Sequence, residues 1–196
     1  FILERARAAT PDDPLWLVLL GPPTDAVAAL ERDPSVADRL VVFWHVRSEW
    51  PERCRNFNAR NDPVATRRAF EIPSKLVLFD TGTDLYLDVD ESERRYGGIG
   101  ALGEYLAAVH RAKYPGKPKA VFDLGDVAAL VDPAAVRWER TPAPTVDAEL
   151  NYDFSRTHGQ VVRIHAVDRG RCFDLLEAAL KRIEAAAIPS PAGRGP

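Results

Sequence analysis

Three short runs of side chains with almost no polar member constrain this chain more than any other feature. They are Leu15–Leu20, Arg39–Trp44 and Lys75–Phe79. Each has the length of a strand and lacks the apolar–polar alternation of a strand that is wet on one side. A strand that is apolar all round fits a sheet covered on both faces, and such sheets are mainly parallel. Helical patterns fall between the runs. Thr24 is placed to cap a helix bearing Val27, Ala28 and Leu30, and Asp62 to cap another that has Pro63 at its first position and runs to Glu71. Strand–helix alternation of this kind predicts an α/β fold, a mainly parallel Rossmann-like sheet flanked by helices.

The rest of the chain extends the pattern. Ile99–Lys113 reads as a helix with apolar positions at Leu102, Tyr105, Leu106 and Val109, and Leu124–Leu130 as a short helix stopped by Asp132-Pro133. Val136–Arg140, a run near Leu150 and Val161–Val167 read as later strands of the sheet, and Arg171–Ala187 as a closing helix. With no repeat and no linker, residues 1–187 read as a single domain. The Pro- and Gly-rich residues 188–196 read as a disordered tail.

Composition removes several classes of function. The formal net charge is -3 and the arginines are interspersed with acids, so no basic face for a nucleic acid is expected. The longest apolar run, Leu15–Leu20, falls far short of the ~20 residues of a membrane helix, and no signal peptide is recognisable. Cys54 and Cys172 have neither a CxxC nor a zinc spacing and read as free thiols of a reducing compartment, which places the protein in the cytoplasm. The chain opens within a helical pattern that has no cap before Phe1, and it contains no methionine, so further residues are expected upstream.

In a sheet of this type the ligand lies beyond the carboxyl ends of the strands. Those ends are Leu20-Gly21, His45 and Asp80. The segments Val46–Arg60 and Thr81–Gly98 read as long loops at that edge, and long loops in compact domains are usually functional.

Three segments carry a resemblance. Leu17–Ala26 contains Gly21-Pro22-Pro23-Thr24-Asp25 after a strand; Asn56–Ala65 reads Asn-Phe-Asn-Ala-Arg-Asn-Asp-Pro-Val-Ala; Phe122–Pro133 reads Phe-Asp-Leu-Gly-Asp-Val-Ala-Ala-Leu-Val-Asp-Pro. In order and spacing they resemble the nucleoside hydrolases, inosine–uridine type, over the C-terminal two-thirds of that family's length, without its N-terminal strands. The resemblance implies hydrolysis of the bond between nucleobase and ribose, with a calcium ion that holds the ribose hydroxyls and lowers the pKa of the attacking water. It implies Asp123 as a calcium ligand, the backbone carbonyl of Leu20 as a second, and Asn58 as a hydrogen-bonding partner of ribose. Local readings stand beside these. Asp123 also fits an N-cap of the helix Leu124–Leu130, Leu20 a plain strand end, and Asn58 a turn before the Asp62 cap.

The sequence departs from the family in four ways. It contains no Asp-x-Asp-x-Gly-x-Asp-Asp, the motif that supplies most calcium ligands and the proton acceptor, so no catalytic acid cluster is identified. Phe122 stands where the family has a histidine that protonates the departing base; it can stack on a base or serve as core. Asn56 replaces a ribose-binding glutamate. Phe43-Trp44-His45 replaces a Met-Gly-Gly turn, a change that narrows the pocket or alters what sits in it. His45 is the one histidine at a strand end of the expected site, a candidate for the lost acid or a hydrogen-bonded loop residue; His110, His158 and His165 receive no role.

The reading is therefore a nucleoside-hydrolase-like protein acting in intact form on a small-molecule ribonucleoside, with this chain inactive alone. Two other readings compete. One is a non-catalytic nucleoside-binding relative. The other is a structural module, with the Arg47–Arg60 loop as the contact surface of a homo-oligomer.

Overall fold

The computed structural model describes residues 1–157 and 159–187. His158 and the tail 188–196, expected to be disordered, lie outside the described residues. By its internal contacts the chain divides into two compact units, Phe1–Gly82 with Val136–Val167, and Thr83–Ala135 with the residues from Asp168 on.

In chain order, the first unit opens with α1 (Ile2–Ala8), β1 (Leu15–Leu19), α2 (Thr24–Arg32), β2 (Leu40–His45), α3 (Phe57–Asn61), α4 (Pro63–Glu71) and β3 (Lys75–Phe79). The second unit follows with β4 (Tyr86–Leu87), α5 (Val89–Tyr96), α6 (Gly100–Lys113), β5 (Lys119–Ala120) and α7 (Asp123–Val131). The first unit resumes with β6 (Val136–Pro142), β7 (Thr145–Val146), β8 (Tyr152–Asp153) and β9 (Gln160–Val167), and α8 (Arg169–Ala187) belongs to the second.

In the first unit a five-stranded sheet has the order β1-β2-β3-β9-β6. The pairs β1–β2, β2–β3 and β3–β9 are parallel, and β6 runs antiparallel to β9 with a register shift between Arg137 and Trp138. The three apolar runs are thus neighbouring parallel strands, as their helical connections require. Period-two alternation in β2 sends Val42 and Trp44 into a core with Ala6, Leu30 and Phe70, contributed by α1, α2 and α4. Trp44 is fully buried, its ring meets Phe70 edge-on at 6.2 Å, and its Nε1 donates to the Gly21 carbonyl at 2.9 Å. That bond ties the end of β1 to the middle of the sheet.

Several expectations are corrected. β1 is not covered on both faces: among the described residues it pairs with β2 alone, packs Leu15, Leu17 and Leu19 on the core, and leaves Trp16, Val18 and Leu20 at 36–50% exposure. Apolar composition marks a strand but not an edge, since folded surfaces keep much apolar area. Thr24 is not a cap; Pro23 holds that position, and the Thr24 hydroxyl donates to Asp62 at 2.6 Å. The segment after β2 is not all loop, because Asn56 caps α3. The run near Leu150 does not join the main sheet; β7 and β8 form their own two-stranded ribbon beside it in sequence. The Asp62 cap and Pro63 start of α4 are as expected, with Asp62 accepting from the Ala65 amide at 2.9 Å.

In the second unit, the acidic segment after Thr83 holds β4, paired antiparallel with β5, and α5, capped by Asp88. The buried face of α6 is Gly103, Ala107 and His110, whereas Leu102 and Tyr105 are 42% and 64% exposed. Glycine is required at the start of that face because α6 begins against the end of α5: a Cβ on Gly103 would collide with the Tyr96 carbonyl. α8 packs on α5, α6 and α7. Arg169 and Arg95 both lie over the Phe173 ring, at 4.8 and 5.2 Å, and both pair with Glu91, at 2.5 and 3.0 Å. Arg95 reaches Glu177 at 2.7 Å as well.

This network sets a pH dependence. Hydrogen bonds from Arg169, then from Arg95, hold the Glu91 carboxyl below the ordinary glutamate value. A depressed folded pKa means the pair stabilises above the unfolded-state pKa and loses its contribution as pH falls through the folded one. At neutral pH, Glu91→Gln should therefore lower the melting temperature. On acidification through and below the carboxylate range, the gap to the parent protein should close. Melting curves of both proteins across that range check the sign; a gap that widens in acid would show the pair is not the cause.

Candidate functional site

The carboxyl edge of the parallel strands in the first unit ends in a tightly held corner. After β2 the chain turns at Val46–Ser48, and Arg47 adopts φ 46°, the left-handed region. For a residue with a Cβ this costs roughly 1–2 kcal/mol. The corner is held from several sides. The amides of Val46 and Arg47 both donate to the Phe79 carbonyl, at 3.0 and 3.3 Å. The Ser48 amide donates to Asp80. Asn58 Nδ2 donates to the His45 carbonyl at 2.8 Å, and Asn56 Nδ2 to the Arg47 carbonyl at 3.0 Å.

The sequence-predicted residues of this unit are therefore partly brought together. Asn58 is buried and braces the strand end of His45; it still has Oδ1 and a second N–H to offer. Asn56 has both amide ends engaged, since its Oδ1 accepts from the Ala59 amide at 3.1 Å. His45 is buried and stacked on Phe79, with ring centroids 5.5 Å apart. Phe43 lies within β2 rather than in a turn, buried between the rings of Trp16 and Phe79 at 6.5 and 6.3 Å. Leu20 follows β1 and is 45% exposed.

Asp80 follows β3, and sequence reasoning gives it no role beyond marking a strand end. Its side chain is fully buried and accepts from Arg163 Nε at 2.6 Å. Arg163, on β9, also pairs with Glu139 at 2.9 Å and lies over the Trp50 ring at 5.0 Å. Its partner is 83 positions away, so no local pattern announces it. Cys54, in the loop after the corner, is a free buried thiol that burial pushes up to about 12, which makes it a poor nucleophile.

In the second unit the resemblance singled out Phe122 and Asp123. Phe122 is the N-cap residue of α7, half buried, with its ring edge-on to Tyr86 at 5.2 Å. Asp123 is not an N-cap but the first helical residue, and it is exposed. That removes the capping explanation for its side chain. One turn on, Asp126 is fully buried, and a carboxylate oxygen of each lies within 4.8 Å of the other's. Sequence reasoning missed Asp126; the signal was the i, i+3 spacing, which sets both acids on one helix face.

A groove of about 840 Å³ lies at the opposite, amino-terminal rim of the sheet, lined by Pro34, Phe70, Ile72, Lys75, Ala143 and Val161. Among the described residues it gathers no set of convergent acids or histidines, so the chemistry is assigned to the carboxyl edge. Among the described residues no helix is long and apolar enough to cross a membrane.

No protein-family model matches the sequence, and no curated protein matches it. Solved structures do match. A purine-preferring ribonucleoside hydrolase from Gardnerella vaginalis superposes with a TM-score of 0.75 at 19% identity, over 95% of this chain and 66% of that one. A plant nucleoside hydrolase gives 0.72 at 20% identity, over 92% and 65%. The inosine-uridine preferring nucleoside hydrolase from Bacillus anthracis gives 0.71 at 18% identity, over 92% and 64%. The chain thus has the fold of the nucleoside hydrolases and spans just under two thirds of the length of these relatives, at 64–66%.

Proposed function

We propose that this chain carries part of a nucleoside-hydrolase-like protein whose intact form hydrolyses the N-glycosidic bond of ribonucleosides. The observation that carries this reading is the fold likeness over 92–95% of the chain to three hydrolases of that type. Asp123 supports it, as an exposed carboxylate in the first turn of α7 that does not serve as its cap and sits where the resemblance puts a metal ligand.

The donor chemistry fits calcium. Asp123, Asp126 and the Leu20 carbonyl are hard oxygen donors, the set that calcium prefers over softer nitrogen and sulfur ligands. In this reading Asp123 and the Leu20 carbonyl hold the ion. When bound, calcium would fix the ribose hydroxyls and lower the pKa of the attacking water. The chain's own residues do the rest. Asn58 offers its remaining amide capacity to ribose while bracing His45. Asn56 holds the Arg47 carbonyl and so fixes the loop that presents Asn58. Phe122 supplies apolar surface toward the base, Phe43 backs the Phe79 ring on which His45 is stacked, and His45 is the candidate to protonate the base as it leaves. The two free thiols suit the cytoplasm.

A second reading, a non-catalytic nucleoside-binding relative, is favoured by Phe122 standing in place of the family's acid. One experiment separates the two. Inosine and uridine are titrated, with calcium or with a chelator, into the chain extended at its N-terminus by a segment that bears the aspartate motif, and both binding and base release are followed. Calcium-dependent binding with release supports the hydrolase; binding without release supports the second reading; no binding refutes both.

A further inference from the structure

We propose that Asp80 and Arg163 are positioning residues: their buried ion pair holds the strained Val46–Ser48 corner and through it fixes His45 and Asn58 at the ligand edge of the sheet. The role in ligand binding rests on the reading above; the mechanical role does not.

The argument begins with Arg47. A non-glycine residue at φ 46° persists only when its surroundings over-determine it, and such residues cluster at functional sites. Here the surroundings are explicit. Five backbone groups of the corner are bonded: the His45 carbonyl, the Val46 and Arg47 amides, the Arg47 carbonyl and the Ser48 amide. Four of these bonds go to backbone or to neutral amides. The fifth, from the Ser48 amide, goes to a carboxylate, and charge-assisted bonds are the stronger kind.

That carboxylate cannot act alone. The Asp80 side chain has no exposed surface, and a buried charge needs a partner. Arg163 supplies it through Nε, and is itself aimed by Glu139 and by the Trp50 ring. The two Asp80 oxygens divide the work, Oδ1 taking the Ser48 amide and Oδ2 taking Arg163. An amide in place of the carboxylate has one acceptor oxygen; the Arg163 cation takes it, so the Ser48 amide faces an NH2 donor and loses its bond. Asp80 therefore joins β9 to the corner, and the corner carries the carbonyl on which Asn58 is hung.

The test uses amide hydrogen exchange, resolved by residue, together with inosine titration. In Asp80→Asn the Ser48 amide should exchange at least about tenfold faster. The amides of Val42 and Phe43 in the neighbouring strand should keep their protection. Arg163→Lys keeps the charge and should show the same change more weakly, which guards against a variant that fails to fold. Adding Arg47→Gly to Asp80→Asn should restore much of the Ser48 protection, because glycine takes a positive φ without strain. Inosine affinity should fall with Ser48 protection and recover with it. An unchanged Ser48 amide overturns the proposal. So does a loss of protection shared equally by Ser48, Val42 and Phe43, since that is plain destabilisation. A parent protein that binds no inosine even when extended with the aspartate motif refutes the functional reading, and the exchange data then decide the mechanical role alone.

Discussion

Replacing Trp44 by alanine should lower the unfolding free energy by about 3–5 kcal/mol, the range for truncating a large buried aromatic. Typical domains have only about 5–15 kcal/mol in all, so the variant should be marginal at physiological temperature. The size of the effect follows from position. Trp44 is fully buried in β2, between two parallel neighbours, and its indole packs against Phe70 of α4. It also donates to the Gly21 carbonyl. Alanine removes the packing and the donor together. Trp44→Phe keeps an aromatic ring against Phe70 while the donor goes; the expected cost is about 1–3 kcal/mol for an acceptor left unsatisfied, with a smaller addition for the ring atoms lost. Trp16 is the internal control, a tryptophan on the adjacent strand that is 50% exposed. Its replacement by alanine should cost clearly less than that of Trp44. Urea unfolding of the three variants gives the comparison, and a Trp44→Ala protein as stable as the Trp16→Ala protein would mean that the core is wrongly placed.

The same pair of tryptophans shows how far the sequence could be read. Leu15–Leu20 and Arg39–Trp44 look alike as strings, and both form parallel strands. What a string does not contain is the identity of its neighbours. Trp44 points to the core face and Trp16 to the other; on that other face Phe43 of β2, with a strand on each side, is buried, while Trp16 of β1, which among the described residues has one neighbour, is half exposed. Helix α5 was missed for a different reason. Its residues are mostly charged, so no apolar stripe marks it. The signal lay in the cap, Asp88 accepting from the Glu91 amide, and in the Glu91–Arg95 pair one turn apart. On α6 two of the four expected apolar positions, Leu102 and Tyr105, face outward while Leu106 and Val109 are half buried, because Gly103 takes the close approach of α5.

At the candidate site the residues fixed by local chemistry were legible, and those fixed by folding were not. Asn58 and Asp123 could be picked out because they lie in short motifs whose spacing resembles a family. The structure adds what the motifs cannot say: Asn58 spends one N–H on the His45 carbonyl, and Asp123 lies inside α7 rather than at its cap. Asp80 and Arg163 depend on β3 meeting β9, a pairing that brings together residues far apart in the chain. The φ of Arg47 belongs in the same class, since arginine has no preference for the left-handed region and is put there by its neighbours.

The 196-residue chain should release no base from inosine or uridine, with or without calcium. The reason is a count of oxygens. Calcium takes about 6–8 oxygen ligands as a rule, waters included. The residues assigned to it are Asp123 and one backbone carbonyl, with Asp126 buried beside Asp123. The sequence contains no Asp-x-Asp-x-Gly-x-Asp-Asp to complete the shell or to accept the water's proton. Extending the chain at its N-terminus with a segment that bears this motif should restore calcium binding first. Asp123→Asn in the extended protein should abolish that binding again, which titration with the metal alone can read. Turnover should remain low even then, because Phe122 cannot protonate a departing base and the step is left to His45, which is buried against Phe79. Phe122→His in the extended protein should raise turnover by about 10²–10⁴-fold, the usual contribution of a positioned general acid. Phe122 is suited to the exchange: it is half buried at the start of α7, so an imidazole there meets both the helix end and solvent. The gain should depend on pH, falling as the imidazole loses its proton near its ordinary pKa of about 6.5. A gain of the same size from Phe122→Ala would show that bulk, rather than the missing acid, limits the reaction. Calcium-dependent base release by the 196-residue chain itself would show that its catalytic carboxylates lie elsewhere in this sequence.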